Sequence, residues 1–172
     1  AADRAADAGL RDAAKKFQEA AGAFGALRDG PALALPPPRP VDVSPECAGM
    51  LERLCLAQAQ ELTYEKARLD GKQPAVLARL AAAAGELYGE VGGLLAAPPL
   101  ASHFDKSWAV HAAVKAGLYA GEAGAASAAA LHASDDIAPE IARLRGAQAA
   151  LAPARAQAKA CARELVDALA GL

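Results

Sequence analysis

Apolar positions recur along the chain with the spacing of one helical face. From Ala1 to about Leu27, Leu10, Phe17, Phe24 and Leu27 share a face with Ala13, Ala14, Ala20 and Ala21 between them, which predicts an amphipathic helix. That helix begins without a convincing cap, as if already under way, so the sequence is expected to be a fragment of a longer chain. Ser44-Pro45-Glu46 is a strong start signal for a second helix running to about Asp70. Its serine can accept an orphan amide bond, the proline is pre-set for the first turn, and the glutamate complements the dipole. Met50, Leu51, Leu54, Cys55 and Leu62 mark its apolar face, and Gly71 is placed to stop it.

A third helix is predicted from near Pro74, with Val76, Leu77, Leu80, Ala84, Leu87, Val91 and Leu94 on one face and Ala97-Pro98-Pro99 ending it. A fourth spans roughly Ser102 to His132 and is marked by Phe104, Trp108, His111 and Leu118. After Ser134-Asp135-Asp136, a fifth runs from Ile137 to Leu172. Ile141, Leu144 and Leu151 should be its buried residues, and Pro153 should bend or divide it. No segment alternates with the period of a strand, so the fold class is all-α. The 172 residues suit a single helical domain.

Between the first two helices, residues 29–43 read DGPALALPPPRPVDV, with five prolines that remove backbone donors and fix φ near −65°. An extended connector is expected there. PPPRP is also a candidate polyproline ligand for an SH3 or WW domain, but the stiff spacer is the preferred reading.

Composition narrows the packing. Hydrophobic residues make up 54% of the chain and aromatics only 4%, so the apolar content is mostly alanine and favours close helix packing through small side chains. Eighteen basic and twenty acidic residues are dispersed and give a net charge of −2, which supplies no phosphate-neutralising stripe for nucleic acid. No apolar run reaches about 18 residues and no signal-peptide pattern opens the chain. Cys47, Cys55 and Cys161 are odd in number, lack CxxC spacing and lie in apolar helical patterns. A reduced compartment and a cytoplasmic or nuclear location are therefore expected.

Candidate chemistry is sparse. His103 and His111 lie two helical turns apart, but no carboxylate or cysteine at i+3 or i+4 completes a zinc set. His132 falls where it can interact with C-terminal helix carbonyls, and Asp135 and Asp136 sit where a following helix start favours negative charge. Gly89, Gly92 and Gly93 occupy a helical stretch, not a phosphate loop after a strand. Trp108 is read as a core anchor beside Phe104. Neither an enzyme nor a cofactor is expected.

One string is far rarer than a hydrophobic period. Leu56-Ala57-Gln58-Ala59-Gln60-Glu61, followed by Tyr64-Glu65-Lys66-Ala67 and Asp70-Gly71-Lys72, is similar to the LAQAQE…EKA…DG segment of BRO1 domains. Phe17 to Phe24 with Leu27-Arg28-Asp29 resembles the preceding family helix, and Glu140-Ile141-Ala142-Arg143-Leu144 the later EEIARL segment. Trp108 and the stretch from Lys115 to Tyr119 fit between them. The resemblance implies an antiparallel helical array, a right-handed solenoid like that of tetratricopeptide repeats, from the middle-to-late part of the BRO1 domain. It also implies an apolar patch that receives the amphipathic C-terminal helix of an ESCRT-III subunit, by helix-in-groove recognition.

Family patch positions fall on Thr63, where an aromatic is usual, and on Val76 and Leu80, where branched aliphatics are usual. The expected function is thus a non-catalytic adaptor in endosomal sorting or membrane remodelling, cytoplasmic and peripheral on endosomal membranes through its partners. Thr63 implies that ESCRT-III binding is weakened or replaced. The alternative expectation is a structural subunit of a larger, for example cytoskeletal or ciliary, assembly that keeps the scaffold without that binding.

Overall fold

The computed structural model describes residues 2–157. Among these the chain forms α1 (Ala2–Asp29), a single turn α2 (Pro31–Ala34), a 3-10 turn (Val41–Val43), α3 (Pro45–Leu69), α4 (Pro74–Ala96), α5 (Lys106–His132) and α6 (Ile137–Gln157), with no strand. The all-α expectation holds. The part of the fifth predicted helix beyond Gln157, with Cys161, lies outside the described residues.

The start and stop signals act as their chemistry requires. Ser44 is buried and its Oγ accepts the Cys47 amide at 3.1 Å, with Pro45 at the first position of α3. Gly71 takes φ +64 just after α3, a conformation that side-chain-bearing residues rarely adopt. The fourth predicted helix starts later than expected. Residues 98–103 form turns, and Asp105 caps α5 by accepting the Ser107 amide at 2.9 Å. The connector is not extended throughout: Pro31 initiates α2, whose Ala32 is fully buried, and the 3-10 turn leads into Ser44. Pro153 does not divide α6, which runs through it to Gln157.

Packing follows chain order: α1 against α3, α3 against α4, α4 against α5 and α5 against α6. The contacts run antiparallel. Arg28 near the end of α1 bonds Glu52 of α3, the Gln60 amide of α3 donates to the Leu80 carbonyl of α4, and Gly85 of α4 lies against Ala116 and Ala120 of α5. Three glycines on α5 set the last interface. A Cβ added at Gly117 would stand 2.7 Å from the Ala154 Cβ and 3.0 Å from the Ala150 carbonyl oxygen. One at Gly124 would stand 2.7 Å from the Ala147 Cβ, and one at Gly121 would meet the Leu151 side chain at 2.6 Å. The α6 backbone therefore lies in a trough that only glycine leaves open.

That trough corrects the expected face of α6. Ile141 and Leu144 are exposed, as is Ile137, while Ala147, Leu151 and Ala154 are buried. The sequence of α6 is barely amphipathic, so its orientation is chosen by where α5 offers space. Trp108 is corrected too: it stands in the first turn of α5, 39% exposed, tilted against Phe104 at 4.9 Å between ring centroids. Among the described residues the core has three clusters, centred on Cys47, Met50, Val91 and Leu95, on Ala57, Tyr64, Ala81, Tyr88 and Tyr119, and on Val114, Leu118 and Leu151.

Glycines of the α5 seam and exposed helical glycines should respond oppositely to alanine. Gly117→Ala gains about 1 kcal/mol of helix propensity but forces α5 and α6 apart, at about 1–3 kcal/mol or more, and should lower the urea midpoint. Gly89, whose added Cβ would meet nothing within 4 Å, should give a stabilising alanine variant, by about 0.5–1 kcal/mol. Equal and positive shifts for both would mean that the close α5–α6 approach does not hold in solution.

Candidate functional site

The α3–α4 pair carries the three residues expected to form a patch, Thr63 on α3 and Val76 and Leu80 on α4. Gln60 Nε2 donates to the Leu80 carbonyl at 3.0 Å, which fixes the register of the antiparallel pair. Thr63 lies three residues beyond Gln60 on α3, and Val76 four residues before Leu80 on α4. Thr63 is exposed and its hydroxyl donates to the Ala59 carbonyl within its own helix at 2.8 Å. Val76 is half-buried, and Leu80 is half-buried against the tyrosine-containing core cluster. Thr63 is thus a small polar residue on α3, while Val76 and Leu80 are partly open apolar residues on α4. Further along the same pair, Arg53 Nε and Glu90 Oε2 meet at 3.2 Å.

The opposite side of α3 lines a groove, to which Leu54 and Leu62 of the expected apolar face contribute. Leu54, Gln58, Glu61 and Leu62 turn there, because residues two apart on a helix differ by about 200° in direction and so Leu54 faces away from Leu56. With Tyr88, Val91 and Leu95 of α4 and Trp108, His111 and Lys115 of α5 they surround about 550 Å³. A second hollow of about 740 Å³ lies over α5 between α4 and α6 and is lined mostly by alanine and glycine.

A polar cluster ties these elements together. Glu61 of α3 accepts from Lys115 Nζ of α5 at 2.5 Å and from the Tyr88 hydroxyl of α4 at 2.5 Å, and Tyr64 donates to Glu122 of α5 at 2.8 Å. Tyr119 stacks on Tyr88 with ring centroids 6.1 Å apart and meets Tyr64 edge-on at 5.6 Å, while Lys115 lies 5.8 Å from the Tyr88 centroid. All three rings are buried, and burial first, then the neighbouring glutamates, pushes each hydroxyl well above its ordinary ionisation range. The partners of Glu61 are 27 and 54 residues away, so no local motif could have announced them.

The histidines are spoken for individually. His103 Nε2 lies 2.6 Å from Asp42 Oδ1, His111 Nδ1 lies 2.7 Å from the Ser107 carbonyl, and His132 Nδ1 lies 3.2 Å from Glu140 Oε2. His132 thus meets a carboxylate, where helix carbonyls were expected. Asp135 and Asp136 are exposed before α6, Asp135 with φ +57, and the Asp136 carbonyl accepts the Glu140 amide at 3.2 Å. Cys47 and Cys55 are free thiols, and burial pushes both up, away from the reactive thiolate. Among the described residues no group of three or more His, Cys, Asp or Glu side chains is arranged to hold a metal ion.

The tyrosine layer gives a pH signature. A tyrosine whose folded value is raised contributes its full stabilisation below the unfolded value of about 10 and loses it as pH climbs toward the folded value, at up to about 1.4 kcal/mol per pH unit. Because Tyr64, Tyr88 and Tyr119 are all the tyrosines in the chain, tyrosinate absorbance should appear in one step above pH about 10, together with loss of helical circular dichroism. A gradual rise on the folded chain would show that water reaches the layer.

Residues 1–172 match the family described as BRO1-like domain. The chain is 42% identical over 169 residues to the Vacuolar-sorting protein BRO1 of Arabidopsis thaliana, covering 97% of this chain and 20% of that relative. It is 39% identical over 111 residues to the ALG-2 interacting protein X of Dictyostelium discoideum, covering 64% of this chain and 14% of the relative. It therefore spans about a fifth or less of these relatives. Among solved structures, ALIX in complex with the SIVmac239 PYKEVTEDL late domain superposes with a TM-score of 0.84 at 27% identity, over 96% of this chain and 24% of that one. The ALIX BRO1 CHMP4C complex gives 0.83 at 27% identity, over 96% and 46%. With its helical array matched over nearly its whole length and its sequence over all of it, the chain belongs to the BRO1-like domain family.

Proposed function

We propose that the chain is a non-catalytic docking scaffold whose α3–α4 face receives an amphipathic helix of an ESCRT-III-type partner, as one helical unit of a sorting adaptor. The observation that carries this reading is the pairing of Val76 and Leu80, one turn apart on α4 and partly open, on a framework that superposes on a BRO1 domain in complex with CHMP4C. A helix laid on that face would bury apolar side chains at i, i+3 and i+4 against α4, and its backbone would need nothing from the scaffold. Such a partner would bring the chain to endosomal membranes peripherally, from the cytoplasmic side. Among the described residues no helix is long and apolar enough to cross a membrane, and the name of the vacuolar-sorting relative supports the same setting.

Thr63 limits the strength of this docking. An aromatic at that position would add about 0.5–1.5 kcal/mol or more to a contact with the incoming helix, whereas the threonine hydroxyl is turned back onto Ala59. The same feature favours the second reading, a BRO1-like scaffold held permanently in a larger assembly without this ligand.

Titration of the chain with the C-terminal helix of an ESCRT-III subunit separates the two. Binding should be in the micromolar range, weaken at least about tenfold with Val76→Asp or Leu80→Asp, and tighten about threefold to tenfold with Thr63→Phe. Val76→Asp is the cleaner variant, since Leu80 also packs on the core. Absence of binding at high micromolar concentration, or binding indifferent to Val76→Asp, would reject helix docking on this face.

A further inference from the structure

Most of the LAQAQE string has a plain task inside the array. Ala57 and Ala59 are buried, Gln58 lines the groove beside Trp108, and Glu61 holds Lys115 and Tyr88. Gln60 does something different. Its Nε2 donates at 3.0 Å to a backbone carbonyl of another helix, that of Leu80 in α4. Helix geometry already gives that oxygen the amide of Ala84, four residues on, so the bond uses its second lone pair. The carbonyl needed no further donor; what the bond adds is a fixed position.

Packing around the bond supplies no such fix. Ala57 of α3 and Ala81 and Ala84 of α4 belong to the core cluster on which Leu80 packs, and all three are fully buried. Alanine surfaces are smooth: they lack the large side chains that key the ridges of one helix into the grooves of the next. Two further polar links between these helices, from Tyr88 to Glu61 and from Arg53 to Glu90, join side chains further along α4. Gln60 instead grips the backbone at Leu80, one of the two partly open apolar residues of the proposed docking site. Thr63 is three residues beyond Gln60, so the same bond ties the helix carrying Thr63 to the helix carrying Val76 and Leu80.

We propose that Gln60 is the positioning residue of the helix-docking site: its carboxamide sets where Leu80 stands relative to α3. The proposal rests on the docking reading above. A partner helix that meets side chains of both α3 and α4 needs the offset between them settled before it arrives, and a bond at Leu80 removes the sliding that alanine packing allows. A neutral carboxamide does this at a half-buried place without the cost of burying a charge.

Calorimetric titration of the full chain with the C-terminal helix of an ESCRT-III subunit, with residue 60 varied in two backgrounds, is the test. Gln60→Met, similar in length but without a donor, should weaken binding about threefold to tenfold, and Gln60→Lys, which keeps a donor, should stay within about twofold of the parent chain. In the Leu80→Ala background the parent glutamine, Gln60→Met and Gln60→Lys should bind alike within about twofold, because the bond then has no docking side chain to place. Helical circular dichroism and the urea midpoint, read on each variant, show that it is folded during the titration. Gln60→Met binding as the parent does, Gln60→Lys binding no better than Gln60→Met, or an equal loss from Gln60→Met in both backgrounds would each overturn the positioning role and leave the docking reading standing. Absence of binding by the parent chain would overturn the docking reading and the positioning role with it.

Discussion

Two helices can approach only as closely as the side chains between them allow, and here alanine and glycine set that distance. Gly117, Gly121 and Gly124 open α5 to the backbone of α6, and Gly85 of α4 sits against the α5 backbone at Ala116 and Ala120. Small residues bury little apolar area each, so the helices gain contact by coming close along their whole length. The few large side chains must then be concentrated where space remains. Tyr64, Tyr88 and Tyr119 occupy one layer between α3, α4 and α5, and burying their hydroxyls there requires acceptors, which Glu61 and Glu122 supply.

The position of Glu61 decides more than the comfort of a hydroxyl. By holding Lys115 as well as Tyr88, it links α3 directly to α5, helices that are not consecutive in the packing order. Both members of the ion pair are partly shielded, with side chains 21% and 26% exposed, so the contact is firmer than a surface pair though still open to screening. An array in which every helix touched only its neighbours would flex at each interface. The Glu61 bridge closes one of those hinges in the stretch that carries the LAQAQE string.

How much of this could be read from the sequence depended on whether the cause was local. Helix ends at Ser44, Gly71 and Pro74 were legible, because caps, left-handed glycine and first-turn proline act within a few residues. The helices that carry Thr63, Val76 and Leu80 were legible through the BRO1 resemblance together with helical period. The face of α6 was legible only at Leu151: Ile141 and Leu144 were expected beside it, yet the glycines of α5 attract Ala147 and Ala154, and that preference belongs to the partner helix. Trp108 misled for a related reason, since its period suits the core but its place in the first turn of α5 puts it at the mouth of a groove. Glu61 with Lys115 was invisible because 54 residues separate them.

These two levels meet on α3. Glu61 and Thr63 are two residues apart, so their side chains leave the helix in nearly opposite directions, one into the bridge to α4 and α5 and the other to the open face. A helix fixed from behind by an ion pair, a tyrosine hydroxyl and the Gln60–Leu80 bond presents its outer residues with little freedom to rearrange. A ligand docking on that face then meets a surface ordered before it arrives and loses less entropy in settling. The polar cluster inside the array and the docking face outside it are, on this view, two sides of one structural decision. On the proposed reading, the small residue at Thr63 would weaken the contact, while the rigidity behind it would keep the face able to make one.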